Sequence, residues 1–358
     1  MLHKLLTETM LTGMHAAGRP GPMGLTGAAT RLVRQGRLLD ATAAIRERLG
    51  GGALPGTTSA ATPTTAPGAT DRAGGTVTRG AASAAGDRRA YRLYVPAGLA
   101  PGAPLMVMLH GGTQDADGFA ACTDMDRAAE RAGVAVVYPE QSRSANAMGY
   151  WNWFRPGDQT RDGGEPAIIA AITRAVAAEL RSDPARVAVA GFSAGAAMAA
   201  VMGATHPDLY CGAGVHSGLP HRAAHDVGSA FAVMSSPPAA VADAGPVPLV
   251  VVHGDADRTV VPGNGEAVLR SALVGASPGR LDRTTGQVRG GHAWTRERFT
   301  EPGGRTLAES WTVHGLGHAW SGGPAGASYA DPAGPDASAA MLAFFGFAGE
   351  VPVARRVG

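Results

Sequence analysis

Arg186-Val187-Ala188-Val189-Ala190-Gly191-Phe192-Ser193-Ala194-Gly195-Ala196-Ala197-Met198 decides the fold of this chain. An apolar run ends in Gly-Phe-Ser-Ala-Gly and a run of small residues follows, which predicts a buried strand, a one-residue elbow and a helix, with serine at the bend. Glycine at 191 and 195 removes two Cβ atoms from a crowded turn. The N–H of Ala194, at the helix start, is left free to donate to an oxyanion. Gly-x-Ser-x-Gly is a weak signal in a chain with 52 glycines, and a second copy stands at Gly275-Ala276-Ser277-Pro278-Gly279. There Pro278 has no N–H to offer, and the preceding Glu266 to Val274 segment looks helical rather than extended. Ser193 is therefore the candidate nucleophile.

Outward from the elbow, short apolar runs recur at Tyr91 to Val95, Leu105 to Leu109, Val134 to Tyr138, Val187 to Ala190, Gly214 to Ser217, Leu249 to Val252 and Ser310 to Val313. Helix-like stretches separate most of them, plainest at Asp124 to Ala132, Glu165 to Leu180 and Asp336 to Phe345. Near-continuous apolar strands alternating with helices predict an α/β fold with a mostly parallel central sheet covered by helices on both faces. Residues 88–350 form the expected catalytic domain. Before it, residues 50–87 are Gly, Ala, Thr, Ser and Pro with almost no large apolar side chain, the composition of a flexible linker. Residues 1–49 form an N-terminal segment, with two short amphipathic helices expected over 28–49.

A serine hydroxyl needs a histidine to take its proton and an acid to hold that histidine, and in a parallel sheet these groups gather beyond the carboxyl ends of the strands. Among eleven histidines, His318 lies in the glycine-flanked loop His314-Gly315-Leu316-Gly317-His318, just after the last expected strand. His206, His221, His225 and His292 read as surface residues. The acid comes from His253-Gly254-Asp255-Ala256-Asp257 after the preceding strand: Asp257 is favoured, with Asp255 closing the turn. The order Ser, Asp, His is that of the α/β-hydrolase fold. A second oxyanion donor is expected after an early strand, in Leu109-His110-Gly111-Gly112-Thr113-Gln114, from the N–H of Gly112. Trp151, Trp153 and Trp320 are candidates to line the substrate surface, with a core role as the alternative for each.

A formal net charge of +2 with scattered arginines carries no nucleic-acid footprint. No run of about 18 apolar residues predicts a membrane span. His221-Arg222-Ala223-Ala224-His225 has metal-ligand spacing but lacks the glutamate of the zinc motif, and no P-loop or dinucleotide fingerprint occurs. Neither metal nor cofactor is expected. Cys122 and Cys211 read as free thiols, and Glu8 interrupts the apolar core that a secretory signal needs. That favours a cytoplasmic location, with export the alternative.

Leu-His-Gly-Gly-Thr-Gln, Tyr-Pro-Glu-Gln-Ser-Arg-Ser-Ala-Asn, Trp-Asn-Trp-Phe, Gly-Phe-Ser-Ala-Gly, Gly-Val-His-Ser-Gly-Leu-Pro, His-Gly-Asp-Ala-Asp-Arg-Thr-Val and Gly-His-Ala-Trp-Ser-Gly-Gly occur in that order. As a set they resemble the polyhydroxybutyrate depolymerase family of esterases, related to feruloyl and acetylxylan esterases, over about residues 88–347. The resemblance implies cofactor-free hydrolysis of carboxylic esters by a triad falling on Ser193, Asp257 and His318. Polyesters of short hydroxyalkanoates, or small acyl esters, are the implied substrates. Many relatives carry cysteine where Gly112 and Tyr150 stand here, so a disulfide between those loops is absent. Many are also exported. Alternatives are a feruloyl, acetylxylan or short-chain acyl esterase, and an inactive hydrolase-fold binding protein. Contact with a polymer granule through residues 28–49 is a further expectation, against plain docking of that segment on its own domain.

Overall fold

The computed structural model describes residues 69–70, 74–277 and 279–349. The segment at 1–49, the granule contact assigned to it and most of the linker at 50–87 lie outside these. The described strands are β1 (Ala69–Thr70), β2 (Thr76–Ala84), β3 (Asp87–Val95), β4 (Leu105–Leu109), β5 (Ala135–Pro139), β6 (Val187–Phe192), β7 (Gly212–His216), β8 (Leu249–Gly254), β9 (Arg280–Gln287), β10 (Ala293–Thr300), β11 (Thr306–Val313), β12 (Trp320–Ser321) and β13 (Ala330–Asp331). The α-helices among the described residues are α1 (Ala116–Thr123), α2 (Met125–Ala132), α3 (Gly164–Leu180), α4 (Ala194–Thr205), α5 (Val227–Ser235), α6 (Gly263–Ala272) and α7 (Ala337–Phe344).

One sheet takes the order β1-β2-β3-β5-β4-β6-β7-β8-β11-β10-β9. Its centre, from β5 to β11, is parallel, and both margins are antiparallel. The innermost strands β5, β4 and β6 are apolar and buried at every position because both faces are covered. Leu105, Val107, Val187, Val189, Leu249 and Val251 pack in one core with Ile169, Ile172 and Val176 of α3. Their neighbours Met106, Met108, Ala188, Ala190, Val250 and Val252 pack in the other, with Phe119 of α1, Met125 of α2 and Met341 of α7. The period of two along each strand sends alternate side chains to opposite layers. This is the α/β-hydrolase arrangement, and it brings the ends of β4, β6, β8 and β11 to one edge.

Two margins differ from expectation. Residues 76–84 fall inside the stretch read as linker, yet they pair along β3 from Thr76 opposite Val95 to Ala84 opposite Asp87. Their small side chains are what the pairing needs. A Cβ at Gly80 would lie 2.3 Å from the Tyr91 ring, and one at Gly75 would lie 2.6 Å from Tyr94, whose hydroxyl accepts the Gly75 N–H at 3.2 Å. The aromatic rings lie across the strand and supply the burial its own residues lack. The β9–β10 hairpin extends the other margin. β9 is mostly polar and pairs with β10 through contacts such as Arg283 with Glu297 at 3.7 Å, while β10 is held to β11 by Arg298 to Glu309 at 2.6 Å and by Trp294 against Trp311 at 4.8 Å, pairs that become visible only with the register.

Candidate active site

Ser193 sits between β6 and α4 with φ 54° and ψ −116°, a left-handed conformation that a residue with a Cβ resists at a cost of about 1–3 kcal/mol. Burial of Val187, Val189 and Phe192, each worth about 1.5–3 kcal/mol, outweighs it. The flanking glycines are there for approach. A Cβ on Gly195 would lie 2.0 Å from the Leu109 carbonyl oxygen, and one on Gly191 would lie 2.4 Å from the Gly195 backbone. The elbow therefore presses directly on the end of β4, and the Ser193 N–H donates to the His216 carbonyl at 3.0 Å on the other side.

Above it, His318 Nε2 lies 3.0 Å from Ser193 Oγ, and its Nδ1 lies 2.7 Å from Asp257 Oδ2. The structure thus brings together three residues separated in sequence by 61 and 125 positions. Asp257 is buried, and its Oδ1 accepts the N–H groups of Thr259 and Val260 at 2.9 and 3.0 Å. Burial opposes its charge, but hydrogen bonds from His253 and His318 outweigh burial and hold the carboxyl well below the usual carboxylate range. It is ionised at neutral pH and keeps a proton on Nδ1, leaving Nε2 as the acceptor for the serine hydrogen. Asp255 does something different: Oδ1 accepts the Gly315 N–H at 2.7 Å and Oδ2 meets His314 Nδ1 at 2.8 Å. It ties the loop after β8 to the loop carrying His318.

The N–H of Ala194 is the first of α4, where the helix dipole favours negative charge. Gly112, the other expected oxyanion donor, lies in the loop after β4. That loop is braced by Gly111 N–H to Gln114 Oε1 at 2.9 Å and Thr113 N–H to the Met148 carbonyl at 3.2 Å. A Cβ on Gly112 would lie 2.0 Å from the Tyr150 ring, so the Tyr150 ring packs directly on the Gly112 backbone.

Behind the loop runs a buried polar network that sequence reasoning missed. His110 Nε2 accepts the Gln141 N–H at 3.0 Å while its Nδ1 meets the Gly111 carbonyl at 2.8 Å. Gln141 Nε2 donates to Glu165 and to the Tyr150 carbonyl, and Asn152 donates to Glu165 through both its backbone and its amide. Burial pushes the Glu165 carboxyl up to about 7 against these donors. Because its unfolded value is near 4.5, the unfolded state gives up its proton first, and stability falls as pH rises from about 4.5 to about 7. The expected loss is about 3 kcal/mol. Urea midpoints compared between pH 5 and pH 8 should show this decline in the wild type and its absence in Glu165→Gln; equal slopes would contradict it.

The tryptophan expectation is corrected. Trp151 and Trp320 are fully buried and Trp153 nearly so, which leaves no face for a substrate. Trp151 Nε1 donates to the His110 carbonyl at 3.1 Å, and Trp153 packs edge-on to Phe154. Trp320 Nε1 donates to Ser338 Oγ at 3.2 Å while its ring stacks on His216 at 4.7 Å. His216 in turn accepts the Ser321 N–H at 3.0 Å and so anchors the loop beyond His318. Burial keeps His216 well below its ordinary value and neutral. A histidine closing an apolar strand was the available signal, but its partners lie 105 residues away. His206 and His221, expected at the surface, are buried, His206 beside the Thr205 hydroxyl and His221 against the Gln159 carbonyl at 3.1 Å, whereas His225 is exposed. Cys122 and Cys211 are both free.

Residues 89–299 match the model of the family described as esterase PHB depolymerase. Poly(3-hydroxyalkanoate) depolymerase C of Paucimonas lemoignei is 34% identical over 243 residues, which are 63% of this chain and 57% of that protein. Feruloyl esterase B of Neurospora crassa is 32% identical over 145 residues, 40% of this chain and 48% of that one. The chain thus spans about half the length of these two relatives. In structure, an acetyl xylan esterase from Aspergillus awamori superposes with a TM-score of 0.57 at 20% identity, covering 76% of this chain and all of that one, a likeness of fold. The family model takes in β4 and the loop after it, the Ser193 elbow and the Asp257 loop, more than half the chain, and on that match the chain belongs to the PHB depolymerase family of esterases.

Proposed function

We propose that this protein is a serine esterase that cleaves carboxylic esters through an acyl-enzyme on Ser193, with poly(3-hydroxybutyrate)-type polyester or its oligomers as substrate. The observation that carries the reading is the hydrogen-bonded series Ser193, His318, Asp257. His318 Nε2 takes the Ser193 proton as Oγ attacks the ester carbonyl, and the N–H groups of Gly112 and Ala194 receive the oxyanion. Collapse breaks the bond to the alcohol, which leaves with the proton from Nε2. Water then gives a proton to the same nitrogen, attacks the acyl carbonyl and releases the acid and the serine. Asp257 stabilises the imidazolium in both halves.

The depolymerase relative supports a hydroxyalkanoate substrate, and the feruloyl esterase relative supports an aromatic ester as the second reading. Acid release from amorphous poly(3-hydroxybutyrate) granules and hydroxybutyrate oligomers, measured beside methyl ferulate and acetylated xylan, separates them. The polyester reading expects turnover of the first pair to exceed that of the second by at least about tenfold, a difference of about 1.4 kcal/mol in transition-state binding. The reverse order would replace it with the second.

A further inference from the structure

The tryptophans are buried, and so is Phe192, whose ring lies 4.9 Å from that of His318. Among the described residues, Val274, Leu281 and Tyr329 are the large hydrophobic side chains left exposed, and Tyr329 is 40% exposed. Its ring lies 6.2 Å from that of Phe192, and its hydroxyl is 3.4 Å from Thr113 Oγ1, next to the oxyanion donor Gly112. Tyr329 therefore stands on the rim between the oxyanion loop and the histidine.

Its backbone is held there against its preference. Tyr329 has φ 60° and Thr113 has φ 66°, both in the left-handed region that bulky or β-branched residues avoid. The Tyr329 carbonyl accepts the Trp320 N–H at 2.6 Å and lies 3.3 Å from Cys122 Sγ, while Ala330 continues into the β12–β13 pair. Strain imposed by such anchoring gathers at sites where side-chain placement matters.

We propose that Tyr329 is a specificity-determining residue whose exposed ring forms the apolar wall for the acyl chain of an aliphatic ester. The inference rests on the serine-esterase reading. With the departing alcohol on His318 Nε2 and the carbonyl oxygen on Gly112 N–H, the third carbonyl substituent runs along the Thr113–Tyr329 rim. A single exposed ring covers one side of a chain, which suits methylene and methyl groups better than a flat aryl acid with two faces to bury.

The test is kcat/KM of the full chain on p-nitrophenyl acetate and hexanoate, for wild type, Tyr329→Gly, which suits the positive φ, and Tyr329→Phe, which keeps the ring. Each methylene on apolar surface is worth several-fold, so Tyr329→Gly should lower the hexanoate-to-acetate ratio by at least about tenfold, mainly through KM. Tyr329→Phe should hold the ratio within about threefold of wild type. An unaltered ratio in the glycine variant, an equal fall on both esters, or a phenylalanine variant as impaired as glycine would each overturn the inference alone. A wild type that hydrolyses neither ester overturns the esterase reading and takes this inference with it.

Discussion

Ser193→Ala should lower kcat on p-nitrophenyl butyrate by about 10⁵-fold or more, because in the proposed mechanism Ser193 carries the acyl group and without it His318 is left with no hydroxyl to activate. The residual rate belongs to binding and the oxyanion donors alone, which in triad hydrolases retain about 10³–10⁴-fold over water. Folding should be nearly untouched. Alanine meets the same resistance to φ 54° that serine does, so the elbow keeps its strain, and the single bond lost, to His318 at 3.0 Å, is worth about 1 kcal/mol. A urea midpoint close to wild type together with loss of labelling by a fluorophosphonate probe is the expected pair of results. Retained turnover would remove Ser193 from the mechanism.

Asp257→Asn should cost about 10⁴-fold in kcat, by a different route. The asparagine oxygen can still accept from Thr259 and Val260, so the loop survives, but its amide then faces His318 Nδ1. Two donors cannot share that contact, and the imidazole moves its proton to Nε2, where it points at the serine and blocks proton uptake. Stability carries a matching signature. The Asp257 carboxyl lies below its unfolded value of about 3.8, so it contributes stability above that pH and loses it as pH falls through the lower folded value. The gap in urea midpoint between wild type and Asp257→Asn should therefore be full at pH 7 and narrow below pH 4. The same change at Asp255, whose partners are His314 and Gly315, should cost far less in rate. Equal losses at the two positions would contradict the division of labour between them.

The elements legible from sequence are those whose burial is written in their own residues. β4 and β6 are continuous apolar runs, β8 is one up to Val252, and α2, α3 and α7 fall within a residue or so of the stretches their periodicity marks. β2 was invisible because the apolar surface covering it belongs to Tyr91 and Tyr94 of its neighbour. The run after His292 reads as a strand, but β9 and its pairing with β10 were invisible because charged cross-strand pairs look like solvated polar residues until the register aligns them.

The site divides in the same way. Ser193, Asp257, His318, Gly112 and Ala194 could be nominated from sequence because each follows a strand end, and a parallel sheet gathers those ends at one edge. The three tryptophans went astray because large aromatic residues carry no mark that separates a substrate wall from a core. Only packing decides it, and packing gives that exposure to Tyr329 instead. The Glu165–Gln141–His110 network had no local signature at all, since each member is bonded to partners on other elements. Sequence by itself determined the strand order of the chemistry and the residue types that perform it. Tertiary structure alone decided which polar groups are buried with partners, which rings face solvent and how far each pKa moves, because burial and partnership belong to residues distant in the chain.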